Sequence, residues 1–157
     1  MRKSRIDIIV PVYNRAKIVK PTLQAIVAQS FKDYALVLVD NNSTDDTLQV
    51  LEAFKQEHSD IDVTIVQCPT PGAAAARNAG FWASDSEWVM FFDSDDEMLP
   101  DHIADFRAAA EASPEAEIIG RGVLMRTPDG RDTRKFFTAR RPLFNHIFHS
   151  TLSTQRY

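Results

Sequence analysis

Four apolar runs rich in β-branched residues recur along the chain with a helix-like pattern after each, and this alternation decides the fold. IDIIVPV (6–12), ALVLVD (35–40), DVTIVQ (62–67) and EWVMFFD (87–93) read as strands. The first two are apolar almost throughout, as expected of strands covered on both faces. Pro11 is expected to end the first, because proline cannot donate to a ladder. Ile18, Val19, Leu23, Ile26 and Val27 then recur near helical spacing, with Pro21 admissible only in a first turn or at a kink. Leu48, Val50, Leu51 and Phe54 form the stripe of a second helix, with Ser43 as its expected N-cap and Asp45 and Asp46 in its first turn. TPGAAAARNAGFWAS opens on a proline–glycine turn and continues as an alanine-rich helix, and LPDHIADFRAAAEA predicts a fourth helix with Pro100 in its first turn. Strand–helix alternation repeated four times predicts an α/β fold, a mostly parallel central sheet with helices on both faces.

EIIGRGVLM (117–125) is expected as a fifth strand, with PDG (128–130) as a hairpin turn and PLFNHIFHS as a short helix. The charge changes sign along the chain. Residues 1–119 hold 10 Lys+Arg against 20 Asp+Glu and residues 120–157 hold 8 against 2, within a net charge of −4. The basic segment reads either as a solvated hairpin that neutralises the acidic body or as a surface for an anionic substrate or membrane headgroups. The lone Cys68 excludes an internal disulfide and suggests a reducing, cytoplasmic compartment. No apolar run approaches the roughly 20 residues that span a bilayer, and the N-terminal run lacks the length of a signal peptide. A nucleic-acid partner is not expected.

In open parallel sheets ligands bind at the carboxyl ends of the strands, where the strand order reverses. The polar residues stand there: Tyr13 and Asn14 after the first strand, Asp40 to Ser43 after the second, and Asp93, Ser94, Asp95 and Asp96 after the fourth. Carboxylates packed this closely repel one another, and burying them unpaired costs several kcal/mol per charge. Asp93 and Asp95, one residue apart after a buried strand, can instead hold a hard divalent cation, magnesium or manganese, which bridges substrate phosphates. The bland alternative is that Ser94, Asp95 and Asp96 cap a helix beginning near Leu99. Arg77 in AARNAG is either a surface arginine or a guanidinium set for a phosphate, a ribose or the acidic cluster. His146 and His149 share one face of the expected last helix, more simply as a solvated or packed face than as metal ligands. His102 reads as a surface helix residue and Cys68 as a small buried hydrophobe. The chain has no GxxxxGK[ST], no GxGxxG after the first strand, no Ser/His/Asp set and too few cysteines for a zinc ribbon.

IIVPVYNR, LVDNNSTDDT, PGAAAARNAG and FFDSDD, in this order and spacing, resemble glycosyltransferase family 2 over residues 5–126. The resemblance implies a Rossmann-like GT-A fold and an inverting transfer from a nucleoside-diphosphate sugar to a saccharide or lipid-linked acceptor. It implies that Pro11, Val12 and Tyr13 line the nucleobase, and that Asp40, Asn41 and Asn42 hold base and ribose. Arg77 would lie near the diphosphate, Asp93 and Ser94 at the ribose or sugar, and Asp95 with Asp93 at a divalent metal. It also suggests peripheral association with the inner face of a membrane.

The chain departs from the family in two places. Asn41 stands where the family often has a second aspartate that accepts the uracil N3 proton, so uridine specificity does not carry over. The family's general base and Q-x-x-R-W-type segment have no counterpart here. The resemblance therefore implies a single domain cut short at its C-terminus, with 1–126 as the nucleotide-sugar half and 127–157 as the start of the acceptor side. Three other readings stay open. A nucleotidyltransferase would want a glycine-rich loop where PVYNRAK stands, and a non-catalytic nucleotide-sugar-binding module would lack the base. A receiver-type signalling domain would want a lysine at the end of a late strand.

Overall fold

β1 (Ile6–Val12) forms the middle of a parallel sheet in a computed structural model that describes residues 6–117, 119–120, 123–126 and 132–135. With β2 (Ala35–Asp40), β3 (Asp62–Gln67) and β4 (Trp88–Phe91) the sheet order is β3-β2-β1-β4. The chain winds outward through β2 and β3, then crosses back to lay β4 on the other side of β1. The order therefore reverses between β1 and β4, which opens a crevice at their carboxyl ends. Register runs Asp7↔Ala35 to Val12↔Asp40 between β1 and β2, and Ile6↔Trp88 to Ile9↔Phe91 between β1 and β4.

Pro11 does not end β1, which continues through it to Val12. Backbone groups along a strand point alternately to the two neighbours. Val12 O accepts from Asn41 N on the β2 side and Ile9 O from Phe92 N on the β4 side. The missing N–H of Pro11 thus falls on the β4 side, beyond the last β1–β4 pair, and breaks no bond.

α3 (Ala73–Ala83) lies against β1, β2 and β3, where Ile9, Val37, Val39, Cys68 and Ala76 form one buried cluster. Alanines let this helix come close, and Gly80 closer still: a Cβ there would meet Ile9 Cγ2 at 2.4 Å. The alternate residues Ile8, Val10, Leu36 and Leu38 are fully buried too, so both faces of the sheet are covered. α1 (Val19–Val27) buries Val19, Leu23 and Ile26, with Pro21 in its first turn as expected, and α2 (Thr47–Glu57) buries Leu51 and Phe54.

α2 starts later than its sequence suggests. Ser43, Asp45 and Asp46 all precede it, and Ser43 is not its cap. The Ser43 hydroxyl is engaged elsewhere, and Asp45 Oδ1 accepts from the Thr47 backbone N–H at 3.0 Å instead. α4 (His102–Ala112) likewise begins past Pro100.

The chain divides into two compact units, residues 1–105 and 106–157. In the second, β5 (Val123–Arg126) pairs antiparallel with β6 (Asp132–Lys135). β5 is shorter than the expected 117–125, and Glu117, Ile119 and Gly120 lie outside it, consistent with a glycine weakening strand pairing. The expected turn at 128–130 and the helix carrying His146 and His149 lie outside the described residues. Among the described residues no helix is long and apolar enough to cross a membrane.

Candidate functional site

The crevice between β1 and β4 is framed by three loops, and side chains tie the first two together. Asn14, at φ 51°, donates its N–H to Ser43 Oγ at 3.0 Å and accepts from Thr44 N on Oδ1 at 2.8 Å. Arg15 N donates to Thr47 Oγ1 at 2.9 Å and Ala16 N to Asp45 Oδ2 at 3.2 Å. The Thr47 hydroxyl donates a hydrogen bond to Asp45 Oδ1 at 2.5 Å. These hydrogen bonds favour the ionised form of Asp45, that from Thr47 above all, and hold its carboxyl below the usual carboxylate range.

On this paired lip Pro11 is half-buried, Val12 is buried, and Tyr13 stands 56% exposed. An exposed tyrosine ring beside a crevice offers a planar apolar face to a planar ligand. Asp40 is buried at the end of β2 and accepts from Ser43 N at 3.3 Å. Asn42, at φ 61°, is exposed.

Asn41 points the other way. Its Nδ2 donates to Cys68 O at 3.2 Å and Thr70 O at 2.6 Å, and its Oδ1 accepts from Gly72 N at 2.8 Å. Both donors and one acceptor site are thereby engaged, and the side chain is buried. The amide anchors the turn that launches α3, in which Gly72 takes φ 115°, a conformation that suits glycine.

One helical turn into α3, Arg77 Nη2 reaches Asp93 Oδ1 at 2.5 Å, with side chains only 19% and 24% exposed. Arg77 Nε is buried and has no hydrogen-bond partner among the described residues, a donor suited to an anionic group. The surface-arginine alternative therefore gives way to a fixed guanidinium beside the acidic cluster.

Asp93 leaves the sheet as the first residue of a tight turn, closed by Asp96 N donating to Asp93 O at 3.3 Å. The buried Thr22 hydroxyl of α1 pins this turn from beneath, at 3.0 Å from Ser94 O and 2.8 Å from Asp96 O. Ser94 is buried, while Asp95 projects outward with its carboxylate 41% exposed. The helix-cap alternative for this stretch fails, since α4 begins only at His102. His102 itself is half-buried, its ring 6.2 Å from that of Phe92.

Arg15 is a site residue that periodicity and spacing do not mark. Its Nη2 lies 3.5 Å from Asp95 Oδ2, across the crevice from β1 to the turn after β4. The basic residue in PVYNR was its only trace in the sequence. Thr22, hidden in a helical stripe, left none.

A hard divalent ion suits this arrangement. Asp95 offers an exposed carboxylate held only by its long contact with Arg15, while Asp93 is engaged more closely by Arg77. Among the described residues no three His, Cys, Asp or Glu side chains converge. An ion here would draw on one or two carboxylates and on phosphate and water oxygens, the habit of magnesium and manganese.

A family model for glycosyl transferase family 2 matches residues 7–153. The chain is 32% identical over 94 residues to a poly(ribitol-phosphate) β-glucosyltransferase of Bacillus spizizenii, which covers 59% of this chain and 15% of that protein. It is also 32% identical over 95 residues to a GalNAc(5)-diNAcBac-PP-undecaprenol β-1,3-glucosyltransferase of Campylobacter jejuni, over 60% of this chain and 31% of that one. The chain thus spans less than a third of the length of either relative. Among solved structures, Staphylococcus aureus TarS superposes with a TM-score of 0.65 at 27% identity, over 81% of this chain and 22% of that one. A mannosyltransferase from Pyrobaculum calidifontis, in complex with GDP-Man and Mn2+, gives 0.64 at 26% identity, over 82% and 37%. The sheet order, the motifs in sequence and these likenesses agree: the chain belongs to glycosyl transferase family 2, and its parallel sheet is that of the Rossmann-like GT-A fold.

Proposed function

We propose that this chain carries the donor half of an inverting glycosyltransferase that moves a sugar from a nucleoside-diphosphate sugar to an acceptor hydroxyl. The observation that carries the reading is the meeting of Arg77–Asp93 and Arg15–Asp95 at the point where the strand order reverses. Two arginines and two carboxylates brought together here suit a diphosphate and the ion that accompanies it.

The nucleobase lies along Pro11, Val12 and Tyr13, and Asp40 and Asn42 hold the ribose. Arg77 holds the diphosphate, with Asp93 and Ser94 toward the sugar. Asp95, with help from Asp93, would hold magnesium or manganese, which when bound stabilises negative charge on the diphosphate. The acceptor oxygen attacks the anomeric carbon from the face opposite the diphosphate as the bond to the β-phosphate oxygen breaks. The hydroxyl proton passes to a carboxylate base that no motif in this chain identifies. Relatives named for poly(ribitol-phosphate) and undecaprenol-linked substrates support a polymeric or lipid-linked acceptor. The basic 120–157 segment supplies charge suited to an anionic acceptor or to the inner face of a membrane.

The test is calorimetric titration of the chain with UDP and GDP, each with and without manganese, beside Asp95→Ala. Manganese-dependent binding that disappears in Asp95→Ala is the expected result. A folded wild type that binds neither nucleotide under any metal condition would overturn the assignment.

A further inference from the structure

We propose that Arg15 is a displaceable counter-ion: it pairs with Asp95 while the crevice is free, yields that carboxylate to the divalent ion, and then takes the diphosphate. The inference rests on the donor-site reading above and adds a residue to it.

Both members of the pair are exposed heads on fixed mounts. Arg15 N is held by the fully buried Thr47, and Arg15 O accepts from Ile18 N and Val19 N, each at 3.0 Å. Asp95 sits on the turn that Thr22 pins at Ser94 O and Asp96 O. The side chains themselves are 42% and 41% exposed and meet at 3.5 Å, the outer limit of a hydrogen bond. Such a contact is weak and screened by water, so either partner exchanges it for a stronger one.

The neighbouring pair behaves differently. Arg77 and Asp93 are closer, at 2.5 Å, and better buried, so Asp93 keeps its arginine while Asp95 can release its own. At Asp95 the single guanidinium would compete poorly with a doubly charged cation and would be repelled once that cation was bound. Arg15, freed on an anchored backbone at the lip of the crevice, would then be available to phosphate oxygens, which a guanidinium matches in geometry and charge.

This makes two predictions of opposite sign for one substitution, which a merely structural surface pair does not. Titration of Arg15→Gln with manganese alone should show binding about three- to tenfold tighter than wild type, because a competing cation has gone. Titration of the same variant with UDP at saturating manganese should show binding about tenfold weaker, because a diphosphate contact has gone. Arg15→Lys should retain part of both effects. Thermal melts should match wild type, since the contacts that hold this loop are made by the Arg15 backbone. If wild type binds manganese and UDP but Arg15→Gln changes neither, or weakens manganese binding, Arg15 is not a counter-ion to Asp95. If wild type binds neither manganese nor UDP, the donor-site reading fails first and this inference falls with it.

Discussion

Arg77 Nη2 stands 2.5 Å from Asp93 Oδ1 and thereby joins α3 to the turn that follows β4. The pair is about four-fifths buried, so removing one member leaves the other partly desolvated. Arg77→Ala should lower stability by roughly 1–3 kcal/mol, with Arg77→Lys recovering part of the loss. Denaturant unfolding of both variants and of Asp93→Ala gives the coupling. Additive single and double variants would show that the pair carries no energy.

Asn41→Asp, which restores the acid the family often carries, should harm the protein and bring no preference for uridine. Aspartate would set a carboxylate against Cys68 O and Thr70 O in place of two donors, costing about 2–3 kcal/mol. A rise in the ratio of UDP to GDP affinity in this variant would contradict the inward placement of the side chain.

Gly80→Val should be among the most damaging single changes on α3. The first added carbon already meets Ile9 Cγ2 at 2.4 Å and Val39 Cγ2 at 3.0 Å. Overpacking of this kind costs about 1–3 kcal/mol, and Gly80→Ala should lose less than Gly80→Val. Equal melting temperatures for all three proteins would mean that α3 does not lie this close to β1.

Acid should loosen the lip formed by the first two loops. The Asp45 carboxyl is held below its ordinary value, chiefly by the Thr47 hydroxyl. A depressed folded-state value contributes stability above the unfolded value of about 4 and loses it as pH falls through the folded value. Wild type and Asp45→Asn should therefore differ in urea midpoint at pH 6 and converge toward pH 3. A constant difference across that range would exclude this linkage.

Alkali should leave Tyr34 protonated longer than an ordinary phenol. Burial first, and the charge of Asp60 second, push it up to about 12, and its hydroxyl donates to Ile26 O at 2.9 Å. The stability this provides is complete below the unfolded value of about 10 and lost as pH rises through 12. In ultraviolet titration, Tyr34→Phe should remove the component that ionises near 12. Loss of a component near 10 instead would place Tyr34 in water.

The parallel sheet was legible because burial on both faces leaves unbroken apolar runs. β1 and β2 accordingly fall on the residues where those runs stand, whereas β3 buries Val63, exposes Asp62, Thr64 and Gln67, and is marked instead by its β-branched residues. Boundaries that depend on one hydrogen bond were not legible. Ser43 has the chemistry of a cap, yet Asn14, 29 residues earlier, takes its hydroxyl, and no local pattern records such a pairing. The same limit hid the inward turn of Asn41, whose partners come from the end of β3 and the turn into α3. Arg77 was recognisable as a lone cation among alanines, whereas Arg15 became a site residue only once the sheet order set β1 beside β4.

The bonds from Asn14, Arg15 and Ala16 to Ser43, Thr44, Asp45 and Thr47 bear on any attempt to re-engineer the crevice. Neither loop can be exchanged alone without stranding the other's donors and acceptors. Residues 13–16 and 43–47 form one inheritable cassette, and a graft from another member of the family should carry both halves together.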